Sequence, residues 1–320
     1  MLHPKVKAAT GGGALGAFVA WAASRGIHIT TAEAGTIATI LAALAGYLKS
    51  GPAPVATGAT ETPTRVTPAR PTPRPAPRPH HVPHPRIHHT GNARGLWVWN
   101  DTNARGVVRD AASAGIGWIT VKVQDGTSRF NSHALIEEYR ALCKQHNLLF
   151  GVWAYVRGSS PVTEASLAAA LVRQYGAAFF IADAEIEVEQ NPGPVSKIFT
   201  RTFRASEPHL SAHLSSFGRV DLHPGIDWWA WKREGFGFMP QAYFVDSRQL
   251  DPGLCVEAAR HIWHPREMQP TVSAQSDSGP RASALSLGRS VERLGVYGAN
   301  LWSAEIATHD DMRAIAAARL

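Results

Sequence analysis

Phe179-Phe180-Ile181-Ala182-Asp183-Ala184-Glu185-Ile186-Glu187 is the stretch whose reading decides the fold. An apolar run leads into three acids spaced two residues apart. In a β-strand, residues i, i+2 and i+4 share a face, so Asp183, Glu185 and Glu187 align. A strand apolar on both faces belongs to a buried parallel sheet. Carboxylates at the C-terminal end of such a strand sit where parallel α/β folds keep their active sites. An ordinary strand followed by an acidic turn gives the same pattern, so the neighbouring sequence has to choose.

Working outward, strand and helix patterns alternate from Gly95 to the end of the chain. Candidate strands cover 95–100, 118–124, 148–156, 178–186, 210–217, 237–245, 268–275 and 296–303. Helical patterns fall between them at 103–114, 132–146, 163–175, 194–206, 226–234, 252–263, 281–294 and 308–319. Eight βα units in this length predict an α/β fold, a (β/α)8 TIM barrel over residues 94–320. A doubly wound open sheet would have fewer units and a Gly-rich phosphate loop after its first strand, which is missing here.

Upstream the character changes. Residues 51–93 are rich in Pro, Arg and Thr and end in His80, His81, His84, His88 and His89. They predict an extended, disordered basic linker, with the histidines as part of a solvated tether and no metal site. Residues 8–23 and 33–48 are two short Ala/Gly-rich apolar segments flanked by Lys5, Lys7 and Lys49. They predict a helical hairpin over residues 1–50, marginal in length for a membrane span. The first 93 residues hold nine Lys/Arg and two acids, which leaves 23 of each sign for 94–320 and places the whole +7 net charge at the front. A neutral barrel gives no reason to expect nucleic acid as a partner. Cys143 and Cys255 match no metal-ligand spacing and predict buried free thiols.

The predicted strand ends collect one kind of chemistry. They bring Trp97 and Trp99, Gln124 and Asp125, Trp153 and Tyr155, His213, Gln241 and Tyr243, Gln275, Trp302 and Glu305 around Asp183 and Glu185. Flat rings stack on sugar faces, and amides and acids hydrogen-bond hydroxyls, so these are the candidate substrate-binding residues. Glycoside hydrolysis needs a protonated acid at the leaving oxygen and a second carboxylate. An Asp-x-Glu on one strand face sets the two Cα atoms about 6.6 Å apart. Glu185, beside apolar Ala184 and Ile186, is the expected general acid, raised by partial burial. Asp183, deeper, is expected to stay ionised as stabiliser or nucleophile. Glu187 reads as a loop acid beyond the site. No cofactor or metal is expected.

Three motifs carry a resemblance. Val121-Lys122-Val123-Gln124-Asp125-Gly126-Thr127, the strand His146–Tyr155, and Asp183-Ala184-Glu185 together are similar to the family 25 glycoside hydrolases, the lysozymes of peptidoglycan. The likeness covers about residues 95–187, with the second half following in architecture. That family opens with an Asp in its first strand, where this chain has Gly95-Leu96-Trp97-Val98-Trp99. The Asp-x-Glu ending is also similar to the chitinase-like family 18 barrels, in which the substrate's acetamido group attacks and the Glu is the acid. Residues 1–50, through His3-Pro4-Lys5-Val6, Trp21 and Ala45-Gly46-Tyr47-Leu48, resemble holin-like hairpins of actinobacterial phages.

These resemblances imply a phage or prophage cell-wall hydrolase that cuts β-1,4 bonds of peptidoglycan amino sugars by a two-carboxylate mechanism. It would be membrane-associated or released to the wall, with peptidoglycan or another polysaccharide as partner. Two alternatives stay open. One is a non-catalytic carbohydrate-binding barrel of a phage tail or surface protein, and the other is a membrane-anchoring holin-like protein carrying the barrel as cargo.

Overall fold

The computed structural model describes residues 93–320, apart from 192, 248–249 and 276–280. The hairpin and linker expectations for the preceding segments lie outside the described residues. Eight parallel strands form the sheet: β1 (Arg94–Val98), β2 (Trp118–Asp125), β3 (Leu149–Val156), β4 (Phe179–Ala184), β5 (Ser211–Phe217), β6 (Gly237–Gln241), β7 (Thr271–Ser273) and β8 (Ala299–Trp302). Each pairs with the next, and β8 returns to β1 through Arg94↔Ala299 and Leu96↔Leu301, which closes the barrel. The predicted (β/α)8 architecture is the observed one. The seam between β6 and β7 is thin, with one registered pair, Gln241↔Thr271.

Eight helices follow the strands: α1 (Ala104–Ala114), α2 (His133–Gln145), α3 (Pro161–Tyr175), α4 (Val195–Ser206), α5 (Trp228–Arg233), α6 (Pro252–Ala259), α7 (Ala284–Ser290) and α8 (His309–Ala317). Their ends are written in the sequence. Asn103, Ser132, Asp227, Asp251, Ser283 and Thr308 each accept a bond from a backbone N–H of the first turn. Such a cap satisfies donors that the helix itself cannot pair. Among the described residues no helix is long and apolar enough to cross a membrane. Cys143 and Cys255 are buried free thiols, as expected.

Strand alternation sorts side chains into two cores. Leu96, Val98, Ile119, Val121, Phe150, Val152, Phe180, Ala182 and Leu214 point outward and pack under the helices. Trp97, Trp118, Trp153, Phe179, Ile181 and Met239 fill the barrel. Trp118 and Phe179 meet edge to face at 5.2 Å, and Trp97 and Trp153 at 5.3 Å. Rings this large leave no space opposite them. A Cβ on Gly95 would lie 2.0 Å from the Trp118 ring, and one on Gly151 would lie 2.2 Å from Phe179.

Overpacking of this kind costs about 1–3 kcal/mol. Gly151→Ala should therefore lower the unfolding free energy by that much, read as a lower denaturant midpoint, with exposed Gly193→Ala as the control for glycine replacement outside the barrel. Equal midpoints for wild type and Gly151→Ala would mean that the Phe179 ring is free to move aside.

Candidate active site

The aromatic filling occupies the lower part of the barrel and lifts the polar residues to its C-terminal mouth. There an open cavity of about 430 Å³ is lined by Trp97, Trp99, Lys122, Asp125, Trp153, Tyr155, Arg157, Asp183, Glu185, Glu187, Ser215, Gln241, Tyr243, Asp246, Ser273, Gln275, Trp302 and Ile306. Trp302 stands edge-on to both Trp97 (5.7 Å) and Trp153 (5.6 Å), so three indoles form one apolar floor. The Trp97 indole N–H donates to Asn300 Oδ1 at 2.6 Å, and that of Trp153 donates to the Val98 carbonyl at 3.0 Å. These bonds fix the rings as well as satisfy them.

Asp183 and Glu185 share one amide. Gln241 Nε2 lies 3.0 Å from Asp183 Oδ1 and 2.6 Å from Glu185 Oε1, with Ser215 Oγ at 3.3 Å. Asp183 is buried on strand β4, whereas Glu185 is half-buried and faces the opening. Burial, then the charge of Glu185, holds Asp183 well above the usual carboxylate range against the opposing bonds from Ser215 and Gln241. Burial also raises Glu185, with the neighbouring charge of Glu187 adding to it, while bonds from Gln241 and Asp183 pull the other way. Both sites favour the neutral carboxyl over the charged one. Asp183 was expected to stay ionised; its enclosure pushes the other way, toward the neutral carboxyl.

The adjoining wall is a chain of ion pairs. Lys122 Nζ donates to Asp125 Oδ2 (2.9 Å), Arg157 Nε to Asp125 Oδ1 (2.6 Å) and Arg157 Nη1 to Glu187 Oε1 (3.0 Å). Tyr155 Oη donates to Glu187 Oε2 at 2.6 Å. Lys122 is buried among rings, 4.2 Å from the Phe130 centroid and 5.0 Å from that of Trp153. Burial raises Asp125, yet its bonds from Lys122 and Arg157 outweigh that and leave it below the usual range. Burial and the bond to Glu187 push the Tyr155 phenol up.

Most of the expected residues meet here: Trp97, Trp99, Asp125, Trp153, Tyr155, Asp183, Glu185, Gln241, Tyr243, Gln275 and Trp302 all line the cavity. Three expected binding residues do not. Gln124 is buried outside it and donates to the Gly126 and Glu164 carbonyls, because an irregularity between Lys122 and Gln124 shifts the register there and turns Asp125 toward the cavity instead. His213 shares the inward face of β5 with Ser215 but lies one pleat deeper. Burial, with the charge of Arg204 adding to it, pushes its imidazole down to about 3. Glu305 turns away to accept from the backbone N–H groups of Trp99, Asn100 and Asp101 at 2.8, 2.8 and 3.1 Å. Glu187, read as lying beyond the site, is part of its wall, and Arg157, Ser215, Asp246 and Ser273 join it as well. β4 also ends at Ala184, one residue before Glu185, which starts the one-turn helix Ile186–Gln190. Among the described residues no group of His, Cys, Asp and Glu is arranged to hold a metal ion.

Comparison with solved structures finds the same barrel fold in other proteins. The Bacillus cereus spore cortex-lytic enzyme SleL superposes with a TM-score of 0.54 at 8% identity, covering 70% of this chain and 73% of that one. A chitinase from Chromobacterium violaceum gives 0.56 at 10%, covering 70% and 98%. A family 18 chitinase from Pseudoalteromonas aurantia gives 0.54 at 10%, covering 70% and 99%. At such identities the likeness is one of fold. No protein-family model matches the sequence, and no curated protein matches it either.

The raised Asp183 has a consequence for stability. Between the ordinary value of 3.8 and its raised folded value, the folded chain holds a proton that the unfolded chain has lost, so stability falls as pH rises through that window. Asp183→Asn keeps the shape and removes the ionisation. Its thermal midpoint should exceed that of wild type by a wider margin at pH 7 than at pH 4, with about 2–4 °C for each kcal/mol recovered. A margin independent of pH would mean that folding does not raise the pH at which Asp183 ionises.

Proposed function

We propose that the barrel is a glycoside hydrolase acting on β-1,4-linked amino-sugar polymers, with bacterial peptidoglycan as its substrate. The observation that carries this reading is the Asp183–Gln241–Glu185 bridge, set at the mouth of an open cavity floored by tryptophan. A carboxylic acid kept protonated beside a ring-binding surface is the requirement for general-acid cleavage of a glycosidic bond. Supporting it are the likeness of residues 121–127 and 146–155 to family 25 lysozymes and the fold shared with chitinases and a cortex-lytic enzyme.

Glu185, on the open side, gives its proton to the leaving oxygen as the C1–O bond breaks. Asp183 is only 5% exposed and covered by Gln241 and Ser215, so it stabilises charge and does not attack. The nucleophile left is the sugar's own 2-acetamido oxygen, which closes on C1 with loss of the leaving alcohol. Water then opens the resulting ring while Glu185 takes the proton back. In this reading the two-carboxylate expectation becomes one acid with a buried partner. Residues 1–50 would hold the enzyme at the membrane, and the basic segment 51–93 would reach toward the anionic wall.

The test is release of reducing ends from purified peptidoglycan and from chitin oligosaccharides by the full chain. Glu185→Gln should lower the rate by about 10²–10⁴-fold while leaving sugar binding in place. Cleavage of 2-hydroxy sugar polymers as fast as 2-acetamido ones would overturn the acetamido step. Tight binding without any cleavage by the wild type would assign the barrel to carbohydrate binding.

A further inference from the structure

Glu187 is the third acid of the Asp-Ala-Glu-Ile-Glu run and lies two residues beyond the proposed acid, on the first turn of the helix Ile186–Gln190. Its carboxylate is held at both oxygens, by Tyr155 from β3 and by Arg157 from the loop after it. Arg157 in turn reaches Asp125 at the end of β2. The 157–160 loop is itself clamped, since the buried Glu164 accepts from the backbone N–H groups of Arg157, Gly158 and Ser160 at 2.9, 3.1 and 3.1 Å. At the far end of the one-turn helix, His223 Nδ1 lies 2.8 Å from Glu189 Oε2, and Asn191 Nδ2 donates to the Gly158 carbonyl. A five-residue helix has no stability of its own, so these ties fix where Glu185 stands.

We propose that Glu187 is a positioning residue for proton delivery by Glu185, tying the acid to the cavity wall through Tyr155 and Arg157 and placing a negative charge beside it. The inference rests on the glycosidase reading and goes beyond it by adding a residue that need not touch the sugar. The charged and titratable groups facing Glu185 are Asp183 on β4, Lys122 on β2, Tyr155 on β3 and Glu187 on the short helix. A nearby negative charge favours the protonated form of a carboxyl, whereas Lys122 opposes it. Arg157 sits between Asp125 and Glu187 and damps the effect of Glu187. Removing Glu187 and removing Arg157 therefore push the acid in opposite directions.

The experiment follows Glu185 in the full-length protein by carboxyl ¹³C NMR titration and by the pH profile of kcat/KM on a chitin oligosaccharide. In Glu187→Gln the Glu185 midpoint and the alkaline limb should both move down by about 0.5–1 pH unit, the size expected of a partly screened neighbouring charge. In Arg157→Met both should move up, and Glu187→Asp should restore the midpoint while kcat stays reduced. A role confined to packing would lower kcat in all three variants with the midpoint unmoved, and that result overturns the proposal. Because the NMR midpoint needs no substrate, a chain that titrates as described but cleaves no glycan would sink the hydrolase reading and leave the positioning role standing.

Discussion

A closed barrel of eight parallel strands encloses a volume that only side chains can fill, and the rest of this molecule follows from how it is filled. Six large apolar residues, three of them tryptophans, occupy the lower and middle layers. Two glycines leave space where the rings would otherwise collide. With the lower volume taken by rings, the inward positions nearest the C-terminal mouth are the ones free to be polar. Lys122, Asp183, Ser215, Gln241 and Ser273 occupy them. The site therefore has an apolar floor and a polar rim, and its local dielectric is low where Asp183 sits.

That low dielectric decides the electrostatics. Burying one carboxyl next to another is unfavourable unless one of them is neutral or both are well bonded. Here a single amide, Gln241, serves both, and enclosure favours the neutral form of each. The other wall solves the same problem differently. Lys122 and Arg157 alternate with Asp125 and Glu187, so the charges cancel in place. One side of the cavity thus keeps a transferable proton and the other keeps fixed charges.

The barrel was legible in the sequence because its signals are periodic. Strand and helix patterns recur eight times, six of the eight helices carry a capping side chain, and each repeat reinforces the others. The Asp183–Glu185 pair was legible for the same reason. What alternation supplies is a face, not a depth, so His213 was placed at the mouth when it lies one pleat below. It also assumes unbroken register, and the irregularity after Lys122 takes Gln124 out of the cavity while Asp125 stays in it. Arg157 and Glu187 stand just past strand ends, where no period applies and position depends on bonds between separate loops. Glu305 shows the same limit: an acid near a strand end reads as a ligand contact, yet three unpaired backbone N–H groups claimed it first.

The β6–β7 seam has a mechanical meaning. It is joined by one registered pair and the bridge Phe238↔Met268, fewer ladder bonds than its neighbours carry, and local unfolding is drawn to such lines. Gln241 is at that line, so the residue joining the two acids stands where the wall has its fewest ladder bonds.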